Sequence, residues 1–378
     1  MNRDLTKGSI AKGLTLFALP MIAGNLLQQF YNIADTLIVG QVLGKNALAA
    51  VGSAYTLMTF FTSVFLGLSM GAGALFSIYF GKNDLESLKS SVAHALELIL
   101  SITVIVNIAV YIFFDQILLF LQIPSELYAP MKEYLIIIYS GLLATSLYNF
   151  FSCLLRSVGN SVAPLWFLGT SAILNIVLDL LFVITFNFGI AGAAAATVIS
   201  QYISGVGILI YTLLKSKVFI PKRRHFKFNK KILFEILDLS VLTCAQQSAM
   251  NFGILLVQRL VDSFGAVTMA AFAAAVKVDT FAYLPVQDFG NAFSTFAAQN
   301  YGAKQTSRLK EGLKKATLLS GLFSLIISAL VFAFANPLMR IFINQSETAV
   351  IASGVKYLRI EGAFYIGIGC LFLLYGFY

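Results

Sequence analysis

Charge is scarce in this 378-residue chain. Asp, Glu, Lys and Arg together make up 11% of it against 58% hydrophobic residues, and the mean hydropathy is +0.84. A soluble domain of this length needs a charged surface, so that class is excluded. Histidine occurs twice, at His94 and His225, which leaves little from which to build a His-based metal or catalytic centre. Cys153, Cys244 and Cys370 each sit inside an apolar run, with no CxxC spacing. No disulfide framework or zinc site is expected, and the three read as small core residues. The stretch Met1 to Lys12 is short and charged. The apolar run after it outlasts a signal-peptide core and carries no small-x-small cleavage site, so it reads as an uncleaved first helix.

What the chain does have is apolar length. Phe occurs 34 times and Gly 28 times, as in proteins whose transmembrane helices bend or approach closely. Apolar windows predict ten spans, over 14–40, 48–80, 92–113, 127–153, 164–186, 191–214, 233–262, 268–300, 315–336 and 349–376. Alternating them gathers Arg3, Lys7, Lys12, Lys82, Lys89, Arg156, Lys304, Arg308, Lys310, Lys314 and Lys315 on one side. The run from Lys215 to Lys231, with eight basic residues, joins them. The positive-inside rule then makes the N-terminus cytoplasmic. The net charge of +9 therefore orients helices, and no nucleic-acid partner is expected. The basic segment itself reads first as a solvated linker and second as a surface for anionic lipid or an acidic partner.

The two halves repeat. A shift of 221 residues brings Gly44, Ala49 and Ala50 onto Gly265, Ala270 and Ala271, and Gly81, Lys89 and Ala95 onto Gly302, Lys310 and Ala316. A shift of 223 brings Tyr134 onto Tyr357. Equal orientation of the copies requires an even number of spans in each, so they read as parallel six-helix repeats. The expected fold is an all-α polytopic membrane bundle of two lobes. An N-lobe over 1–214 is followed by a cytoplasmic linker over 215–232 and a C-lobe over 233–378. The C-lobe is expected to hold four helices and to lack two, since the second copy stops where the partner of Arg156 would fall.

Between Pro164 and Phe186 one charged side chain, Asp179, stands alone in a stretch long enough to cross hydrocarbon about 30 Å thick. A carboxylate at that depth usually faces a bundle interior and serves an ion or proton path. Asn175 shares its helix face at i, i+4. Asp35, Asp179 and Thr197 fall at a common depth of roughly 8–11 Å from the outer ends of their helices at 1.5 Å per residue, with Asn175 one turn deeper. Two carboxylates, an amide oxygen and a hydroxyl suit a hard cation. Two neighbouring carboxylates can instead share a proton. A second reading stands beside these, in which Asp35 caps a neighbouring helix and Asn175 is interhelical glue. Lys277, Asp279 and Asp288 follow in the eighth helix. They either line a substrate cavity or are satisfied across helices, and Arg359 and Glu361 later on read as cavity residues. Gln287 and Gln299 read as packing or hydrogen-bonding residues.

These residues, in this order, resemble the multidrug and toxic compound extrusion (MATE) transporters along essentially the whole chain. The first helix carries Pro20 and then Asn32-Ile-Ala-Asp-Thr-Leu-Ile-Val-Gly-Gln. Leu155-Arg-Ser-Val-Gly-Asn160, Asn175-Ile-Val-Leu-Asp179 and Gly192-Ala-Ala-Ala-Ala-Thr197 follow. The likeness is greatest to the MepA-like and DinF-like bacterial branch. It implies twelve helices in two lobes around a cavity of alternating access, a cation site at Asp35, Asn175, Asp179 and Thr197, and a first helix that bends at Pro20. The chain departs from the pattern in having no proline near Leu242 in the seventh helix and in matching Asp35 with Leu256.

The function expected on these grounds is secondary export of amphipathic, often cationic small molecules from a bacterial plasma membrane. A monomer would couple it to Na⁺ or H⁺, with lipid as its surroundings, no cofactor beyond the coupling ion and no enzymatic activity. The alternatives are a lipid-linked oligosaccharide flippase, which needs buried basic residues where this chain has acidic ones, an intramembrane aspartyl protease, and a fragment that does not transport.

Overall fold

The computed structural model of the chain describes residues 3–120 and 125–377. The helices run α1 Ile10–Val42, α2 Lys45–Gly81, α3 Leu85–Ile112, α4 Phe114–Phe120, α5 Ser125–Ser140, α6 Leu142–Ser157 and α7 Val162–Asp179. They continue as α8 Gly189–Lys215, α9 Lys230–Asp262, α10 Ala266–Gly302, α11 Thr306–Phe342, α12 Thr348–Ala363 and α13 Tyr365–Phe377. Eight segments are long and apolar enough to span a membrane. Two further pairs, α5–α6 and α12–α13, bend by 43° and 50°, which brings the number to as many as ten. The ten apolar windows are thus recovered, with 127–153 and 349–376 each broken into two helices. Several helices also outrun their windows. α11 begins at Thr306 rather than 315, because its first turns, rich in Lys, Arg and Glu, are good helix formers beyond the apolar zone. Lys315 and Glu311 pair there at 2.6 Å, one turn apart.

The duplication is written into the backbone. α2 and α10 have 37 residues each, and α1 and α9 have 33 each. The turns that enter α2 and α10 pass through Gly44 at φ +83° and Gly265 at φ +89°. Both positions need the left-handed freedom that glycine has. The turns that leave them pass through Asn83 at φ +56° and Lys304 at φ +57°. All four positions obey the 221-residue shift. The two bends obey the 223-residue shift, since Gly141 between α5 and α6 corresponds to Phe364 between α12 and α13.

Two compact units divide the chain. The first comprises Ala23–Ser248, and the second comprises Arg3–Ile22 with Ala249–Tyr378. α1 and α9 therefore each belong to both, and Pro20 lies two residues before the change of unit in α1.

In the first unit one apolar cluster surrounds Tyr134, Tyr139 and Phe65, and another surrounds Phe76, Phe150 and Leu155. Gly67 and Gly71, spaced GxxxG, let α2 lie directly against Ser240 and Cys244 of α9. Ser240 donates its hydroxyl to the Leu68 carbonyl at 3.1 Å. The basic linker is ordered by two 3₁₀ turns, Lys217–Phe219 and Arg223–Phe226, and docks on α3.

In the second unit the segment before α1 is tied to α10 and α11. Leu5 donates its backbone N–H to Gln299 at 3.1 Å, the hydrogen-bonding role expected of that residue. Arg308 donates to the carbonyls of Leu5, Lys7 and Gly8 at 3.1, 2.9 and 2.9 Å.

Candidate functional site

Asp179 is the last residue of α7, and the next six residues, Leu180–Thr185, form a π-helical stretch. Such widened turns shift the hydrogen-bonding register and recur at functional sites. Asp179 is fully buried and Asn175 nearly so, while Asp35 on α1 and Thr197 on α8 are partly buried. The four come together in the first unit. Asn175 donates its amide to the Thr197 hydroxyl at 3.2 Å. The carboxyl groups of Asp35 and Asp179 lie near enough to act on each other electrostatically.

Oxygen atoms in this group lack donors. Among the described residues no N–H or O–H reaches Oδ1 or Oδ2 of Asp179, Oδ1 of Asp35 or Oδ1 of Asn175. Buried acceptors are ordinarily satisfied, so a set of four left open is a place for a positive charge to enter. Both carriers fit: a proton shared by the neighbouring carboxyls, or a hard cation held by oxygen ligands alone. No group of three or more His, Cys, Asp or Glu suited to a metal occurs among the described residues, which leaves two carboxylates as the anionic ligands.

Tyr134 completes the surroundings. It is buried on α5 beside both carboxylates. The sequence had marked it only as the partner of Tyr357 in the repeat. A hydroxyl at that repeated position was the available signal.

The second unit holds an acidic cluster of its own. Asp279 on α10 is buried beside the Tyr365 hydroxyl, and Glu361 on α12 lies near Asp279 with its carboxyl against the Tyr357 hydroxyl. Asp288 is buried further along α10. Lys277 is exposed, away from Asp279 two residues later, as the 100° step of a helix requires. Lys277, Asp279 and Asp288 therefore do not form one cluster. Neither Tyr357 nor Tyr365 was visible as a site residue from spacing alone.

A helical bundle with as many as ten apolar spans among the described residues defines a multi-pass membrane protein, and one of its units buries a donor-free acidic group. The sequence pattern of the MatE family matches residues 20–181 and 242–378. The chain is 31% identical over 99% of its length to the probable multidrug resistance protein YpnP of Bacillus subtilis (strain 168), covering 83% of that protein. It is 23% identical over 97% of its length to the multidrug export protein MepA of Staphylococcus aureus (strain NCTC 8325 / PS 47), covering 81% of it. Its fold matches the outward-facing structure of a multidrug resistance MATE family transporter of the MOP superfamily with a TM-score of 0.92. The match spans 99% of this chain and 84% of that one, at 23% identity. The chain belongs to the MatE family, a family of membrane transporters and not of enzymes.

Proposed function

We propose that this protein exports amphipathic, often cationic small molecules by alternating access, coupled to Na⁺ or H⁺ at Asp35, Asn175, Asp179 and Thr197. The observation that carries the reading is Asp179, fully buried, near a second carboxyl and with both oxygens lacking a donor. Its charge must be neutralised by a species that comes and goes, or the fold would bear the cost of a buried ion permanently. Occupancy by the cation favours one access state and the exported compound favours the other. That difference in affinity drives export, since a ligand bound equally by both states shifts nothing.

Pro20 serves as the bend. It removes one backbone hydrogen bond from α1 close to where that helix changes unit, and this lowers the cost of flexing there. Asp279 and Asp288 on α10 and Glu361 on α12 supply negative charge that favours cationic compounds, with Lys277 exposed on α10. The relatives' multidrug names support the substrate class. The protein works as a monomer in a bacterial plasma membrane with the N-terminus inside, where the concentration of Lys and Arg would hold it.

The test is energised efflux of a cationic dye from a drug-sensitive host. Asp179→Asn and Asp35→Asn should each abolish gradient-driven efflux. Asn175→Ala, which removes one neutral ligand, should weaken cation dependence about 10- to 100-fold without abolishing transport. Full efflux by membrane-inserted Asp179→Asn protein would falsify the reading.

A further inference from the structure

Three of the basic residues that the charge pattern leaves off the cytoplasmic side converge on one groove. Arg340, Lys356 and Arg359 line a cavity of about 620 Å³ between α11 and α12 in the second unit, with Asn336, Gln345 and Thr348. Its walls include Ile351 and Val355. No carboxylate among the described residues lines it. Among the described residues none of the three cations makes an ion pair, and Glu347 at the start of α12 reaches none of them.

The groove lies where two membrane-crossing segments meet solvent. α11 ends at Phe342, two residues after Arg340, and Thr348 opens α12. At 1.5 Å per residue Lys356 lies about 12 Å and Arg359 about 16 Å along α12 from that end. Cations therefore run from the rim of the bilayer into its apolar depth. The Arg359 guanidinium is held over the Phe332 ring at 4.9 Å, so it is positioned rather than free to swing out to water.

An arginine at such depth usually has an acidic partner. Among the described residues none pairs with it, so the complementary charge is left to a ligand. Guanidinium forks, an ammonium, two amides and a hydroxyl form a donor set suited to phosphate oxygens. Ile351 and Val355 offer an apolar wall for an alkyl chain beside it. A zwitterionic headgroup would bring its own cation against three others, whereas an anionic one would not.

We propose that this groove binds one anionic phospholipid, with its phosphate among Arg340, Lys356 and Arg359 and an acyl chain along Ile351 and Val355. Basic pockets between membrane helices recognise acidic headgroups in this way. The site is separate from the residues assigned to cation coupling and does not depend on that assignment.

The experiment titrates the purified full chain, in neutral detergent, with phosphatidylglycerol, phosphatidylcholine or inorganic phosphate while following thermal unfolding. Phosphatidylglycerol should give a saturable upward shift at concentrations at least ten-fold below those phosphatidylcholine requires. Arg340→Gln and Arg359→Gln should each raise the phosphatidylglycerol concentration needed about ten-fold or more, and Lys304→Gln should not change it. Equal responses to the two lipids would overturn the proposal, as would a wild-type response in both Arg→Gln variants. An equal shift with inorganic phosphate would assign the groove to a free anion and overturn it too. Native mass spectrometry of the unaltered protein needs no variant to fold. One retained phosphatidylglycerol is expected, and its absence after lipid addition would overturn the proposal.

Discussion

Asn229 donates its backbone N–H to Nε2 of His94 at 2.9 Å, across 135 residues of sequence. The other ring nitrogen of His94 then donates to the Ser90 carbonyl at 2.8 Å. The second histidine mirrors this on the linker side. His225 accepts the Lys222 N–H at Nδ1 at 2.7 Å and donates from Nε2 to Glu86 at 3.1 Å, while Arg224 holds the other oxygen of Glu86 at 2.7 Å. Both rings are buried, and each fixes its tautomer by accepting one linker amide. The two histidines of the chain thus fasten the basic linker to α3.

Removing either ring should release that strap. His94→Ala leaves the Asn229 N–H without its acceptor, at a cost of about 1–3 kcal/mol. Trypsin should then cut between Lys222 and Lys231 at least ten-fold faster than in the unaltered protein. Equal cleavage rates would mean that the linker is held by other contacts.

Asp84 makes one pH dependence explicit. It caps α3 by accepting the Ser87 N–H at 3.0 Å. Hydrogen bonds from the Ser87 hydroxyl and then its amide hold the carboxyl below the ordinary aspartate range. A carboxylate lowered on folding contributes stability above the unfolded value, near pH 4, and loses it as the pH falls through the folded value. Asp84→Ala should therefore cost about 1 kcal/mol at pH 7, and the gap from wild type should close below about pH 4. Thermal unfolding at both pH values reads this directly.

Gly71 tests the close approach of α2 and α9. A Cβ there would lie 2.5 Å from Cα of Ser240 and 2.6 Å from its nitrogen, both backbone atoms that cannot step aside. Gly71→Ala should lower stability by about 1–3 kcal/mol through overpacking. Gly52, on the same helix, would meet no atom within 4 Å among the described residues, so Gly52→Ala should be close to neutral. Matching unfolding temperatures for the two variants would contradict the packing.

Arg308 tests the anchoring of the segment before α1. Its guanidinium serves three carbonyls at once and sits over Phe296 at 5.8 Å. A lysine cannot reproduce that fork. Arg308→Lys should raise hydrogen exchange over residues 3–9 about ten-fold, equivalent to roughly 1.4 kcal/mol of local stability. Unchanged exchange would show that Gln299, together with Asn300, which donates its amide to the Leu5 carbonyl at 3.3 Å, suffices.

Much of the fold was legible because it rests on local properties. Apolar length set the spans, and the 221-residue shift located the glycine turns at Gly44 and Gly265 before their left-handed φ values were known. The two breaks, at Gly141 and Phe364, were not legible. The apolar windows 127–153 and 349–376 run straight across them with no proline at either break, and the Ser140-Gly141 pair and Gly362 are weaker marks that many unbroken membrane helices also carry. The anchoring role of His94 and His225 was equally hidden, because it depends on which linker amides reach the rings.

By itself the sequence determined that this is a helical membrane protein, that it is built twice over, and that Asp179 stands alone where charge is costly. Those conclusions follow from run length, period and the price of a buried ion, all properties of contiguous residues. The helical period also put Asn175 on the face of Asp179. Only the tertiary structure decided that Asp35, from a helix far away in sequence, meets Asp179, that Asn175 binds Thr197, and that a π-helical stretch follows Asp179. It also brought Arg340 opposite Lys356 and Arg359. The reason is geometric. A helix orders its own side chains along one axis, whereas the partner that each face meets is set by how neighbouring helices pack.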